Sequence, residues 1–268
     1  MSSSNAISGE AIVNGVILPK QFIVATGLPS RVVAGQTSRQ VLNPQLASAS
    51  PFGGFNVALH VGDDAMMVHQ QRIELLKSLQ SYGAQRLAWL EQTHGTKVHH
   101  VHNRIEFVPA NADALITREI GVACMMMTAD CLPIVLSNAD GSEVACIHAG
   151  WRGLLNGIIE NTIHAMQSPA VYCWLGAAIG ACHFEVGTEV YDLFVQQNPQ
   201  NQAAFKAQLA GKYLADLYLL ANIRLKDCHV AHITGGESCT YQQSSQFYSY
   251  RHHPHTGRMA TFVMIRPN

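Results

Sequence analysis

The sequence predicts an α+β fold in which mixed β-sheets are covered by helices, and three observations carry that prediction. At 268 residues with 48% hydrophobic side chains, the chain is long enough to bury a sizeable core, and a single domain over residues 1–268 is the default. Strand and helix patterns are interleaved without the regular β-α-β-α alternation that a doubly wound parallel sheet requires. The segment Gly176-Ala177-Ala178-Ile179-Gly180 lacks the G-x-G-x-x-G spacing, and no G-x-x-x-x-G-K-[ST] occurs, so neither dinucleotide nor P-loop phosphate binding is supported.

Element by element, residues 1–10 are expected to be a flexible N-terminus. Residues 28–56 are dense in Ser, Gly, Pro and Asn and read as an irregular loop. Asp63 or Asp64 can cap a helix running to about residue 80, with Val68, Leu75, Leu76 and Leu79 on one face and Gly83 beyond its end. From "RLAWLEQTHGTKVHHV" to "EVACIHAGWRG" short apolar runs punctuated by turn residues predict consecutive strands. A helix is expected from about Gly153, with Leu154, Leu155, Ile158, Ile159, Ile163 and Met166 along one stripe. "VYCWLGAAIG" again reads as strand. Helices at 188–197 and 212–226 and strands at 229–234 and 258–265 complete the chain.

Composition narrows the function. With 17 Lys+Arg against 18 Asp+Glu and 13% charged residues, nothing points to nucleic acid or an anionic membrane as partner, so a small-molecule substrate and a monomer are expected. Seven cysteines, none in a C-x-x-C pair and most in apolar runs, predict free thiols in a reducing, cytoplasmic setting. The first twenty residues have no basic start and no unbroken apolar stretch, so neither export nor membrane insertion is expected. Fourteen His stand out, because neutral imidazole is both a metal ligand and a proton carrier near pH 7.

Three segments end an apolar run with a potential ligand: "LEQTHG" with His94, "TADC" with Cys131 and "ACIHAGWRG" with His148. If the turn Asn138–Gly141 is placed symmetrically between its strands, Cys131 faces His148 directly, close enough to share a metal or a proton. A tighter Asp140-Gly141 turn would slide the register by two and make them a diagonal pair. One Cys and two His on separate turns suit a catalytic zinc site with its fourth position open. The alternative is a core Cys and two ordinary His. Arg152, in the first turn of a helix whose N-terminus favours anions, either holds an oxyanion or phosphate beside the site or caps a neighbouring carbonyl while Trp151 only packs, the second being the expectation for W-R-G taken alone. A metal-free reading makes Cys131 a nucleophile and His148 its base, with Asp130 orienting the His if "TADC" is a turn.

Asn56 and His60 in "FNVALHVGDD" lie at a strand edge. Arg251 and Arg258 flank a polar loop in "FYSYRHHPHTGRM" and are either substrate clamps or solvated charges. "VHHVH" and "HHPH" read as surface histidines, and Met125, Met126 and Met127 as core.

The segments "FNVALHVGDD", "QTHGTKV", "ADALIT", "TADCLPIVL", "HAGWRGL", "LGAAIGACHFEVG", Cys239-Thr240 and "YSYR…TGRMA" together resemble the YfiH-like, laccase-domain family, from about residue 37 onward. The resemblance implies mixed sheets sandwiched between helices and a zinc ion on His94, Cys131 and His148. It implies phosphorolysis of adenosine, inosine and methylthioadenosine, adenosine deamination, and phenol oxidation with copper (Cu2+). Arg152, Asn56 and Arg251 are then expected on substrate or phosphate, with Cys131, His148 and Asp130 as the catalytic group. Three segments depart from the family pattern, the first being Thr37-Ser38-Arg39 in place of Thr-Thr-Arg. Ala177 stands where Pro is usual, and His252 follows Arg251 where a second Arg is usual.

Three rival expectations remain at this stage. The first is a Cys-His hydrolase or amidase acting on peptidoglycan precursors. The second is a copper-dependent polyphenol oxidase, for which the chain lacks a linked H-x-H series. The third is a zinc-stabilised binding module, which chelation would unfold.

Overall fold

The computed structural model describes residues 11–13, 16–102 and 108–267, so the expected flexible segment 1–10 lies outside the described residues. Two mixed β-sheets pack face to face, and helices cover both outer faces. The first sheet runs Phe22–Val24, Val32–Thr37, Met259–Ile265, Val122–Thr128, Arg86–Ala88, with only the last pair parallel. The second runs His232–Gly235, Tyr172–Leu175, Leu132–Ser137, Val144–Ala149, Ala114–Thr117, Val98–Val101, with the two outermost pairs parallel.

Strand geometry sends successive side chains to opposite faces, and the inner strands are apolar on both. In Val122–Thr128, Cys124 and Met126 enter the layer between the sheets, against Val135, Cys146 and Trp174. Ala123, Met125 and Met127 enter the outer layer, under Leu75 and Leu79. The methionine run is therefore core, as expected.

Helix α1, Ala65–Gln80, covers the first sheet. The Asp64 side chain caps it by accepting from Met66 N at 2.8 Å and Met67 N at 3.2 Å. Val68, Leu75 and Leu79 are buried as predicted, joined by Gln71, whose amide donates to Gly54 O at 3.0 Å and so ties down the preceding loop. The second sheet is covered by α2, Trp151–Leu155, α3, Ile158–Ala165, α4, Thr188–Gln197, and α5, Leu217–Asp227.

Three expectations are corrected. The stretch 28–56 is not all loop, because Val32–Thr37 is a fully buried strand. Its Gly35 serves close packing rather than a turn, since a Cβ there would lie 2.5 Å from Ile23 O. The helix expected from Gly153 starts at Trp151 and breaks at Gly157, whose φ of 91° no helix interior adopts. The helix expected over 212–226 begins only at Leu217, where the Asp216 carboxylate accepts from Leu219 N at 2.9 Å. Before it, Lys212–Ala215 forms a small sheet with Glu185–Gly187 and Phe205–Ala207. Among the described residues, no helix is long and apolar enough to cross a membrane.

Candidate functional site

The chain passes from the first sheet to the second at Thr128–Cys131, and this crossing carries the thiol. "TADC" contains a bend, with Asp130 at φ 93°. Asp130 and Cys131 are therefore released from strand alternation. The hairpin that follows takes the tighter register: Pro133, not Cys131, pairs with His148. Side chains close that turn. Asn138 Oδ1 accepts from Glu143 N at 3.1 Å, and Asp140 Oδ1 accepts from Ser142 N at 3.1 Å and from its hydroxyl at 2.7 Å. Cys131 is thus the diagonal partner of His148, and the bend brings its sulfur back to the imidazole.

Asp113 organises the other two candidate ligands, His94 and His148. It immediately precedes the strand Ala114–Thr117, so its own backbone oxygen accepts from His148 N at 2.8 Å. Its fully buried carboxylate lies 2.8 Å from His148 Nδ1. The same carboxylate accepts the backbone N–H groups of His94 at 2.9 Å and Gly95 at 2.8 Å, and the Thr93 hydroxyl at 2.7 Å. Those bonds hold the 93–95 turn, in which His94 takes φ 58°. Left-handed backbone at a non-glycine residue is strain that surrounding bonds must hold, and here it occurs at His94 and at Asp130.

The ligand atoms of His94, Cys131 and His148 all lie within 4.8 Å of one another. Among the described residues this is the one group of three or more His, Cys, Asp or Glu side chains so placed. The histidine rings meet edge to face at 4.7 Å. Gly150 lets the backbone run past them, since a Cβ there would lie 3.0 Å from Cys131 Sγ and 3.3 Å from His94 Cδ2. The donor set fits a borderline-soft transition metal. With bonds of about 2.0–2.3 Å, tetrahedral ligands sit roughly 3.3–3.8 Å apart, within a small adjustment of this arrangement. With Nδ1 committed to Asp113, His148 has Nε2 left for the ion.

Charge reinforces the arrangement. Burial opposes ionisation of Asp113, but the hydrogen bonds from His148, Thr93 and Gly95 prevail and hold its carboxyl well below the usual range. Burial would likewise raise the Cys131 thiol, yet the His148 charge and hydrogen bonds from both histidines bring it down to about 6. His148, although burial pulls it down, is pushed up to about 9 by the Cys131 thiolate and by Asp113. Both shifts favour a thiolate beside an imidazolium in the metal-free pair, and an imidazolium proton must leave when a metal binds.

The cluster lines a cleft of about 490 Å³, within the range of small-molecule sites. Of the residues expected on substrate, Arg152 and Arg251 line it and Asn56 does not. Asn56 is fully buried, and its amide is spent internally: Nδ2 donates to Ala58 O and Asp63 Oδ2, and Oδ1 accepts from Ala58 N and Arg258 N. Its contact with the cleft is indirect, through the backbone of the lining residue Arg258. Asp130 lines the cleft but does not orient His148. Its oxygens accept from the Thr240 hydroxyl and from Arg251 N, each at 2.6 Å, and the orienting acid is Asp113. Arg258, His60, Gln92, Phe184 and Tyr250 complete much of the lining. Asp113 escaped the sequence reading, although an acid opening the apolar run "ADALIT" was a visible signal.

Fold and site define a class: an α+β protein with a three-ligand candidate metal centre in an open cleft. A family model described as multi-copper polyphenol oxidoreductase laccase matches residues 38–266. A Pseudomonas aeruginosa protein named purine nucleoside phosphorylase is 39% identical over 244 residues, 89% of this chain and 95% of that one. Purine nucleoside phosphorylase YfiH of Escherichia coli is 40% identical over 220 residues, 81% of this chain and 89% of that one. The crystal structure of a Neisseria meningitidis protein superposes with a TM-score of 0.85 at 37% identity, covering 92% of this chain and 100% of that one. The chain belongs to this laccase-domain family of YfiH-type proteins.

Proposed function

We propose that this chain is a zinc-dependent purine nucleoside phosphorylase acting on adenosine, inosine and methylthioadenosine, and that it also deaminates adenosine. The observation that carries the reading is the His94-Cys131-His148 group in a cleft whose wall also holds Arg152, Arg251 and Arg258. The names of its relatives point the same way. His94, Cys131 and His148 would hold zinc, which when bound supplies a Lewis acid and lowers the pKa of a bound water to about 7.

The chain's own residues supply the rest. Phosphate is a dianion, and the three arginines that line the cleft, Arg152, Arg251 and Arg258, match its charge. Phe184 and Tyr250 offer faces for a purine, with Arg251 lying 5.5 Å from the Phe184 ring centre. Burial first and Arg258 second lower the His60 pKa, which suits its imidazole to accept a proton, the role we assign it in the deamination. Asp130 is a positioning residue, fixing the Arg251 backbone and the Thr240 turn.

The test incubates the purified protein with inosine, with and without phosphate, beside a folded His148→Ala control. Phosphate-dependent release of hypoxanthine and ribose 1-phosphate is expected, with loss in the variant. Phosphate-independent consumption, or undiminished turnover by the variant, overturns the scheme. Copper-dependent phenol oxidation is the second reading, favoured by the family description and by a Cys-His-His set that copper also accepts. Metal content of protein produced without added copper separates the two.

A further inference from the structure

Of the seven cysteines, Cys124, Cys146 and Cys173 are sealed in the core and Cys131 belongs to the metal cluster. Cys239 is different. It is half-buried at the turn before Thr240, and three nitrogens converge on its sulfur. Gly180 N donates at 3.2 Å, Gln242 N donates at 3.4 Å, and His183 Nδ1 lies at 3.5 Å. The His183 ring is held by stacking on Tyr241, with centroids 4.7 Å apart and planes 23° apart. Gly180 eases the approach, since a Cβ there would lie 3.1 Å from the sulfur. A fixed imidazole beside a thiol is a base beside a nucleophile, and converging N–H groups stabilise negative charge developing at sulfur or at an oxygen added to it.

We infer that Cys239, with His183 as its base, is a modification site that reacts with hydrogen peroxide to give a sulfenic acid. The Cys239 thiol passes its proton to His183 Nδ1, and the sulfur attacks one peroxide oxygen. An S–O bond forms as the O–O bond breaks. The departing hydroxide takes the proton from His183 and leaves as water. Sulfur is oxidised by two electrons and the peroxide is reduced by two, so thiol and peroxide become sulfenic acid and water. The place matters because the next residue, Thr240, holds Asp130 in the cleft wall.

The test uses the metal-loaded full chain carrying Cys182→Ser, which removes the exposed neighbouring thiol. It is treated with peroxide in the presence of dimedone, and the labelled cysteine is located by peptide mass spectrometry. The adduct is expected at Cys239. His183→Phe, which keeps the ring against Tyr241 but removes Nδ1, should slow labelling there about tenfold. Labelling that falls first on another cysteine, or an unchanged rate in folded His183→Phe, overturns the inference.

Discussion

The Asp113 carboxylate lies 2.8 Å from His148 Nδ1 while also accepting the backbone N–H of His94 at 2.9 Å, so one buried side chain orients two of the three candidate ligands. Replacing it by Asn keeps the size but turns one acceptor oxygen into a donor that faces N–H groups. The 93–95 turn then loses its anchor, and the His148 tautomer is no longer fixed. Asp113→Asn should weaken metal binding about 10- to 100-fold, the usual cost of losing such a partner. Competition against a chromophoric chelator measures it. Unchanged affinity in a folded variant would remove Asp113 from this role.

Gly150 makes a steric prediction. Its missing side chain leaves room for Cys131 Sγ and His94 Cδ2, which a Cβ would approach to 3.0 Å and 3.3 Å. The sulfur is fixed by its bend and the ring by the Asp113-bound turn, so neither can retreat freely. Gly150→Ala should therefore lower the melting of the metal-free protein and, by displacing the candidate ligands, lower metal affinity at least about tenfold. Thermal unfolding with and without chelator separates the two effects. Equal stabilisation of variant and parent by metal would refute it.

The coupled pair at the site makes a prediction about pH. In metal-stripped protein Cys131 is held down to about 6 by His148 and His94, and His148 is held up to about 9 by Cys131 and Asp113. The sign follows from the two shifts. The Cys131 contribution is present at higher pH and is lost as pH falls through about 6. The His148 contribution is present at lower pH and is lost as pH rises through about 9. Between those values the pair is ionic. Alkylation of Cys131 by iodoacetamide should be nearly flat from pH 7 to 9 and fall below pH 6, whereas a free thiol such as glutathione accelerates up to its pKa near 8.5. Restoring metal should suppress the reaction. A Cys131 profile that follows glutathione would show that the pair does not form.

The three candidate ligands were legible because a thiol and two imidazoles each end an apolar run beside turn residues, and the structure brings them together. Their register was not. It depended on whether Asn138 and Asp140 close the hairpin with their own side chains, and two turns of different length fit the same letters. Asp113 stayed hidden for a longer-range reason. It meets His148 only because Ala114–Thr117 pairs with Val144–Ala149, a partnership no local pattern encodes. In the fold, periodic helices such as α1 and α4 were legible, whereas Val32–Thr37 was masked by small residues that sit in tight packing. The break at Gly157 was readable only as a glycine, since its φ of 91° is set by how α2 and α3 each reach the core.

Arg258 yields a prediction that separates charge from shape. Its backbone N–H is held by Asn56 Oδ1 at 2.9 Å, and one guanidinium nitrogen donates to Thr256 O at 2.8 Å and Gly257 O at 3.0 Å, so the fork reaches the cleft with its base anchored. Arg258 also lowers the pKa of His60, second only to burial. Arg258→Gln removes that charge while retaining a side chain that can donate to the same carbonyls. The His60 pKa should then rise toward the free imidazole value of 6.5 without reaching it, because burial still lowers it. An NMR titration of the His60 ring reads this directly, whatever the substrate. If phosphate sits against this wall, the same variant should raise the KM for phosphate about tenfold or more, the worth of one charge-assisted hydrogen bond. A His60 titration unmoved by the substitution would show that the two groups are not electrostatically coupled. An unmoved KM beside a shifted His60 would instead place phosphate on Arg152 and Arg251 alone.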